Sequence, residues 1–506
     1  MSSTDGQVEK YVNAAAVEEK RRSGDKASSS DQDVYTPDIA AESRLVWKCD
    51  LFIIPILFVM YMLAFLDRIN IGNAKIQGLQ KELDLSGSQY NVALLIFFVP
   101  YILLEVPSNI ILRKVAPSTW LTGLIFFWGV ASMCQGLVKN YGELVACRFF
   151  MGIFESGIFP GSAYLISMYY KRHELQKRWA FFFSSGLVAG AFGGLLAFAL
   201  VKMNGLGGYS DWRWLFIIEG LATIAFSFIA KFAIVDWPED TKFLNEKEKQ
   251  LLFARLAHDG ASGIARMDHL DKPTVLRILR DWKIWVGVFM YMGVAVSGYS
   301  TSFFIPTILN EFGYSPGEAQ LHTIPIYVVC TAVTLITAWA SDRLQHRYSF
   351  TMAGVLVATV GYIMLLCQGP PKGHGALPVG VRYLAVFFVN TGIYITQPMA
   401  IVWLANNMGG HYKRSFGTAM QIGIGSIGGI IGSNIYLVQE APRYYTGYGT
   451  ALGMLWLCGL MCTVFYFGLL RENKKRDMGD RDYRLNLPQH ELENLGDDHP
   501  EFRFSG

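Results

Sequence analysis

Residues 51–74 read LFIIPILFVMYMLAFLDRINIGNA. Their first sixteen positions carry no ionisable acid or base. The run then meets Asp67 and Arg68 side by side. Crossing a hydrocarbon core takes about 20 apolar residues as a helix, and an acid beside a base at the end of such a run is costly unless it is used. Eleven further apolar runs follow, near 90–112, 119–138, 143–168, 179–201, 214–235, 284–308, 322–340, 350–368, 381–405, 416–438 and 449–470. They are too long for strands and lack the alternation of a membrane barrel. The expectation is an all-α membrane protein of twelve transmembrane helices.

The whole chain agrees. Of 506 residues, 52% are hydrophobic and 17% charged, below the quarter or so of an ordinary soluble domain, and mean hydropathy is +0.28. This excludes a disordered chain, a disulfide-dense secreted module and most soluble enzymes. A net charge of +3 implies no nucleic-acid partner. The seven cysteines share no metal-ligand spacing and are expected as buried thiols. There is no nucleotide-binding G-x-x-x-x-G-K-[ST] loop and no H-E-x-x-H pair. No cofactor or metal is expected, and neither is an enzyme. Energy to move a solute would then come from an ion gradient or from the solute's own gradient.

The runs divide evenly. Residues 48–235 hold six, 236–282 are polar, and 283–470 hold six more, so two halves of six spans are expected, with a site between them near the midplane. Residues 1–47 read as a disordered cytosolic tail and 471–506 as a second cytosolic tail. The central stretch DWPEDTKFLNEKEKQLLFARLAHDG (236–260) reads as amphipathic helix at the membrane surface. Arg113, Lys114, Lys171, Arg172, Lys177, Arg178, Arg343, Arg347, Lys413 and Arg414 crowd the short loops on the side of both tails, which places both termini in the cytosol.

Few charges lie inside the spans, and they fall in the first half: Asp67, Arg68, Glu105, Arg148, Glu155 and Glu219. Arg148 and Glu155 are seven apart, two turns along one helix face and about 10 Å along its axis, so they read as a functional pair or a packing pair. Asp67 and Arg68 are adjacent, do not share a face, and read either as a site or as a helix end at the headgroups. Tyr101 and Glu105 share a face. Glu105, near the cytosolic end, reads as a gate residue and Glu219 as a structural cap. Spans seven to twelve offer neutral polar candidates instead: Tyr299, Ser300, Gln397, Trp403 and Gln421. The glycines at 186, 190, 193 and 194 are expected to permit tight helix packing.

Together, DRINIGNA (67–74), EVPSN (105–109), RFFMGIFESGIFPG (148–161), WRWLFIIEG (212–220), TSFFIPTIL (301–309), GGHYKR (409–414) and LGDDHPEFRF (495–504) resemble a known family. The chain is similar to major facilitator superfamily transporters of the anion:cation symporter family, in the fungal allantoate-permease branch, and within it to high-affinity nicotinic acid permeases. The resemblance implies uptake of a small organic anion with a proton. It makes Asp67 and Glu155 proton-coupling residues, Arg148 with Glu155 a coupling pair, and Arg68, Tyr101 and Arg148 substrate contacts. Gln397 and Trp403 are the candidates from the second half. The superfamily's loop motif stands in the second half as ASDRLQHR, giving Asp342, Arg343 and Arg347 as gating residues beside Glu105. The corresponding first-half loop, SNIILRKVAP, lacks the usual acid. The resemblance also implies a monomer in the plasma membrane. Two other functions compete. One is proton-driven export of a secondary metabolite or drug, against which GLVAGAFGG (186–194) has Ala191 where exporters carry proline. The other is a nutrient sensor that does not transport.

Overall fold

In lipid every backbone N–H and C=O must be satisfied within its own segment, and helices do this. The computed structural model describes residues 39–112, 114–261, 272–344, 346–369, 377–409, 411–488, 492 and 495–505. The described residues divide at Arg44, with Leu45 opening the larger unit. All twelve apolar runs lie on helices. These are α1 (Ile39–Ala74), α2 (Gln89–Leu112), α3 (Pro117–Gln135), α4 (Tyr141–Glu155) with α5 (Ile158–Tyr169), α6 (Arg172–Leu200) and α7 (Asp211–Ala233). After the surface helices α8 (Glu246–Ala261) and α9 (Lys272–Arg280) come α10 (Trp282–Glu311), α11 (Pro316–Leu344), α12 (Arg347–Leu366) and α13 (Val379–Asn406). The last are α14 (His411–Gly425) with α15 (Ile427–Asn434), and α16 (Tyr445–Asp477). Among the described residues ten helices are long and apolar enough to cross a membrane. The remaining two runs fall on α3, 19 residues long, and on the broken pair α14–α15.

The expected 1–47 tail ends inside a helix, since α1 starts at Ile39; residues 1–38 lie outside those described. The 471–506 tail is likewise partly ordered: α16 runs to Asp477, and residues 495–505 pack back on the bundle. In the central stretch α8 turns Leu252 and Arg255 inward, and Arg255 pairs with Glu174 of α6.

Helix neighbours repeat between the halves. In the first, α2 packs on α4, and α3 on α4 and α7. In the second, α11 packs on α13, and α12 on α13 and α16. Across the halves α2 meets α15 and α6 meets α11, so the second span of each half faces the fifth of the other. The reciprocity is what a duplicated unit related by a pseudo-twofold axis produces. Gly194 lets α6 and α11 approach closely: a Cβ there would stand 2.7 Å from the Gln320 carbonyl.

The bundle is apolar outside and charged within. Phe232 is 91% exposed and Leu103 69%, as lipid-facing side chains should be, whereas Asp67, Arg68, Glu105, Arg148, Glu155 and Glu219 are all buried. Two of the helices that carry these charges are irregular beside them. Prolines stand inside α2 at 100 and 107, and the fourth span breaks at Ser156–Gly157, directly after Glu155. Such breaks are tolerated at membrane depth only where protein or a cavity surrounds them.

Candidate substrate and proton site

Arg68 is the centre of the buried charge. Its guanidinium pairs with the Glu155 carboxylate, with Nε 3.0 Å from Oε1. Nη1 donates to the Tyr299 hydroxyl at 3.1 Å, a bond from α1 in the first half to α10 in the second. Three rings surround the cation: Tyr101 at 4.9 Å, Phe97 at 5.1 Å and Tyr299 at 5.9 Å from the guanidinium carbon. A cation at these distances is attracted to the ring faces. Phe98 and Phe303 pack edge-on and stacked on Tyr299, and Tyr61 faces the same group.

Glu155 therefore pairs with Arg68 rather than with Arg148. Arg148 and Glu155 stay electrostatic neighbours, but Glu155 closes the first segment of a broken helix and points across to α1. Arg148 is 1% exposed, and among the described residues its Nε and Nη2 have no hydrogen-bond partner. Its electrostatic neighbours are Tyr90, Asp67 and Glu155. A buried guanidinium with open N–H groups is ready to take a carboxylate.

Asp67 faces away from Arg68, as adjacent positions on a helix require. Ser132 of α3 donates to Asp67 Oδ1 at 2.8 Å, and the Trp128 indole faces the same carboxyl. The Glu219 carboxyl of α7 is an electrostatic neighbour of Asp67. Glu219 in turn accepts from the Asn70 amide, and Asn73 donates to Asn70 Oδ1 at 2.8 Å. Glu219 is thus no helix cap but part of the central charge, held by α1. The sequence signal was there: Asn70 and Asn73 follow Asp67 at i+3 and i+6 in DRINIGNA, on one helix face.

From the second half, Gln397 faces Tyr291, an electrostatic neighbour of Tyr299, Tyr61 and Tyr101, so it reaches the rim of the same cluster. Trp403 does not. Its indole donates to the Ser505 carbonyl at 3.0 Å and packs against Phe465 and Tyr348; the expected substrate contact is a docking residue for the C-terminal segment. Gln421 ties α14 to α10 and α13 through the Gly287 and Ala400 carbonyls, each 3.1 Å away.

Of the expected gating residues, Glu105 of α2 is buried against Gly423 of α14, and its Oε2 has no hydrogen-bond donor among the described residues. Arg347 is buried beside Asn406. Arg343 is exposed and sits 5.5 Å from the Trp339 ring. The side chain of Asp342 lies outside the described residues.

Sequence reasoning missed the C-terminal dock. Asp497 is fully buried between Lys413, 2.7 Å from Oδ1, and Lys283. Asp281 faces both lysines, at 2.5 and 3.2 Å. Arg476 donates to the Asp497, His499 and Phe502 carbonyls, and Asn407 exchanges hydrogen bonds with Ser505. LGDDHPEFRF signalled only that the segment is distinctive.

A duplicated helical bundle with an apolar exterior and a charged centre on broken helices defines a membrane transporter. The chain belongs to the Major Facilitator Superfamily, whose family model matches residues 57–433, and it is a transporter rather than an enzyme. It is 30% identical to the high-affinity nicotinic acid transporter of Saccharomyces cerevisiae over 94% of this chain and 88% of that one. It is 34% identical to the MFS transporter prlL of a fungal species over 87% of this chain and 90% of the relative. In fold it is similar to a bacterial homologue of the human lysosomal transporter Spinster, with TM-score 0.61 and 16% identity, covering 82% of this chain and 96% of that one.

Proposed function

We propose that the chain takes up a small organic monocarboxylate of the nicotinate class together with a proton, as a member of the anion:cation symporter family in the fungal allantoate-permease branch. The observation that carries this reading is Arg148, a buried guanidinium whose Nε and Nη2 have no partner among the described residues, which shares Glu155 as a neighbour with Arg68 in its cage of aromatic rings. An anion leaving water needs a cation waiting for it, and a flat aromatic acid matches ring faces as well as charge. The relation to a nicotinic acid transporter supports the same class.

Coupling follows from the Arg68–Glu155 pair. A buried carboxylate keeps its charge only beside a cation. Protonating Glu155 releases Arg68, which then holds the substrate carboxylate with Arg148 while Tyr101 and Gln397 line the site. Opening of Glu105 from α14, together with the Asp342, Arg343 and Arg347 loop, gates the exit. The protein works as a monomer in the plasma membrane with both termini cytosolic.

Radiolabelled nicotinate uptake into a yeast strain lacking its own permease tests the proposal. Accumulation that grows with an inward proton gradient and falls to background in Arg148→Gln supports it. Gradient-independent binding without accumulation favours a sensor, and proton-driven efflux favours an exporter; either result overturns it.

A further inference from the structure

We infer that Asp67 and Glu219 hold one resident proton between them, so that the pair presents a single negative charge to Arg148. The argument starts from charge. Four elements enclose this centre: α1 with Asp67, Arg68, Asn70 and Asn73; α3 with Trp128 and Ser132; α4 with Arg148 and Glu155; and α7 with Glu219. From α2, Tyr90 faces Arg148 and Tyr101 faces Arg68. This leaves two permanently charged guanidiniums and three carboxyl groups, all buried.

A net charge in so apolar an interior is expensive. With Glu155 balanced by Arg68, one cation, Arg148, remains for two carboxyls held on one face of α1, Asp67 itself and Glu219, which Asn70 binds one turn further along. Neutrality then requires one proton on the pair. The hydrogen bonding agrees. Each carboxyl has one oxygen held by a donor, Asp67 Oδ1 by Ser132 and Glu219 Oε1 by Asn70. On each, the other oxygen, Oδ2 or Oε2, has no donor among the described residues. A proton on one carboxyl supplies the missing O–H···O bond to the other, as in carboxyl dyads that cannot both ionise.

The count also sets a stoichiometry, and this part rests on the reading of the protein as an anion–proton symporter. The resting centre is neutral with one proton. A monoanion brings one negative charge, and one further proton, on Glu155, restores neutrality. The loaded carrier therefore moves one proton per monocarboxylate and no net charge.

Infrared spectroscopy of the purified full-length protein in lipid nanodiscs, at neutral pH and without substrate, tests the proton pair independently of what is transported. Glu105 is a further buried carboxyl whose Oε2 has no donor among the described residues, so the measurement is made in Glu105→Gln as well as in the native protein. In Glu105→Gln one protonated C=O band is expected, shifting in heavy water. It should fall to background when either Asp67→Asn or Glu219→Gln is added. In the native background each of those two changes should remove the same band area as it does in Glu105→Gln. A band that survives Glu219→Gln or Asp67→Asn in properly folded protein would overturn the inference.

Discussion

Arg68 of α1 and Tyr299 of α10 are joined by a 3.1 Å hydrogen bond across the two halves of the bundle. The same guanidinium holds Glu155, so one side chain connects the proposed proton acceptor to the second half. Whatever alters Glu155 is felt directly at the interface that has to move when the halves rock.

Tyr299→Phe keeps the ring over Arg68 and removes only the acceptor oxygen. A hydrogen bond to a charged group contributes about 1.5–3 kcal/mol, which corresponds to at least about tenfold in affinity. The variant is expected to reach the membrane at native levels and to show a KM for nicotinate raised about tenfold. An unchanged KM in a transport assay would show that the hydroxyl does not orient the cation.

Among the described residues Arg148 has no hydrogen-bond partner on Nε or Nη2, and the Asp67–Glu219 pair that its charge offsets can take up a second proton when that charge is removed. Arg148→Gln is expected to fold, judged by native-like gel filtration, and to lose uptake. Arg148→Lys keeps the charge but not the planar fork, and should retain weak uptake with a raised KM. Full activity in Arg148→Gln would remove the anion site.

The C-terminal dock predicts an effect on stability. Burial alone would push the Asp497 carboxyl up, but Lys283 and Lys413 beside it hold it well below the usual carboxylate range. Its contribution is thus complete above the unfolded carboxylate range, about pH 4, and is lost as pH falls through the depressed folded-state value. Asp497→Asn removes one partner of a buried ion cluster, at a cost of about 3 kcal/mol, and should lower the melting temperature at neutral pH. Gly409→Ala should act similarly without changing charge, because its Cβ would stand 2.1 Å from the Asp497 backbone nitrogen. Unchanged melting in both variants would show that the segment does not brace the second half.

Electroneutral symport of one proton with each monocarboxylate predicts that uptake into proteoliposomes responds to a pH gradient but not to a potassium-clamped membrane potential. A current, or uptake steepened by a negative interior, would indicate a different count.

Much of this was legible in the sequence, because lipid leaves helices few alternatives: long apolar runs, equal halves and a few stranded charges define the architecture. The residues of the centre were visible for the same reason, since Asp67, Arg68, Arg148 and Glu155 stand out against apolar neighbours. Their pairing was not. Helical spacing placed Arg148 and Glu155 on one face, but the break after Glu155 directs that carboxylate to α1. Glu219 looked like a cap because its partners, Asp67 and Asn70, lie about 150 residues away. Trp403 looked like a binding aromatic because nothing local indicates that the chain's last residues return to it. Partnership between distant segments is decided by packing, which one-dimensional patterns do not carry.

The central claim is that the buried charges exist to carry a carboxylate together with a proton, and it is tested most directly in proteoliposomes holding only this protein. With an acid exterior and no other gradient, labelled nicotinate should accumulate inside above its outside concentration, and collapsing the pH gradient should release it. Mere equilibration, indifferent to the pH gradient and preserved in Arg148→Gln, would contradict the account.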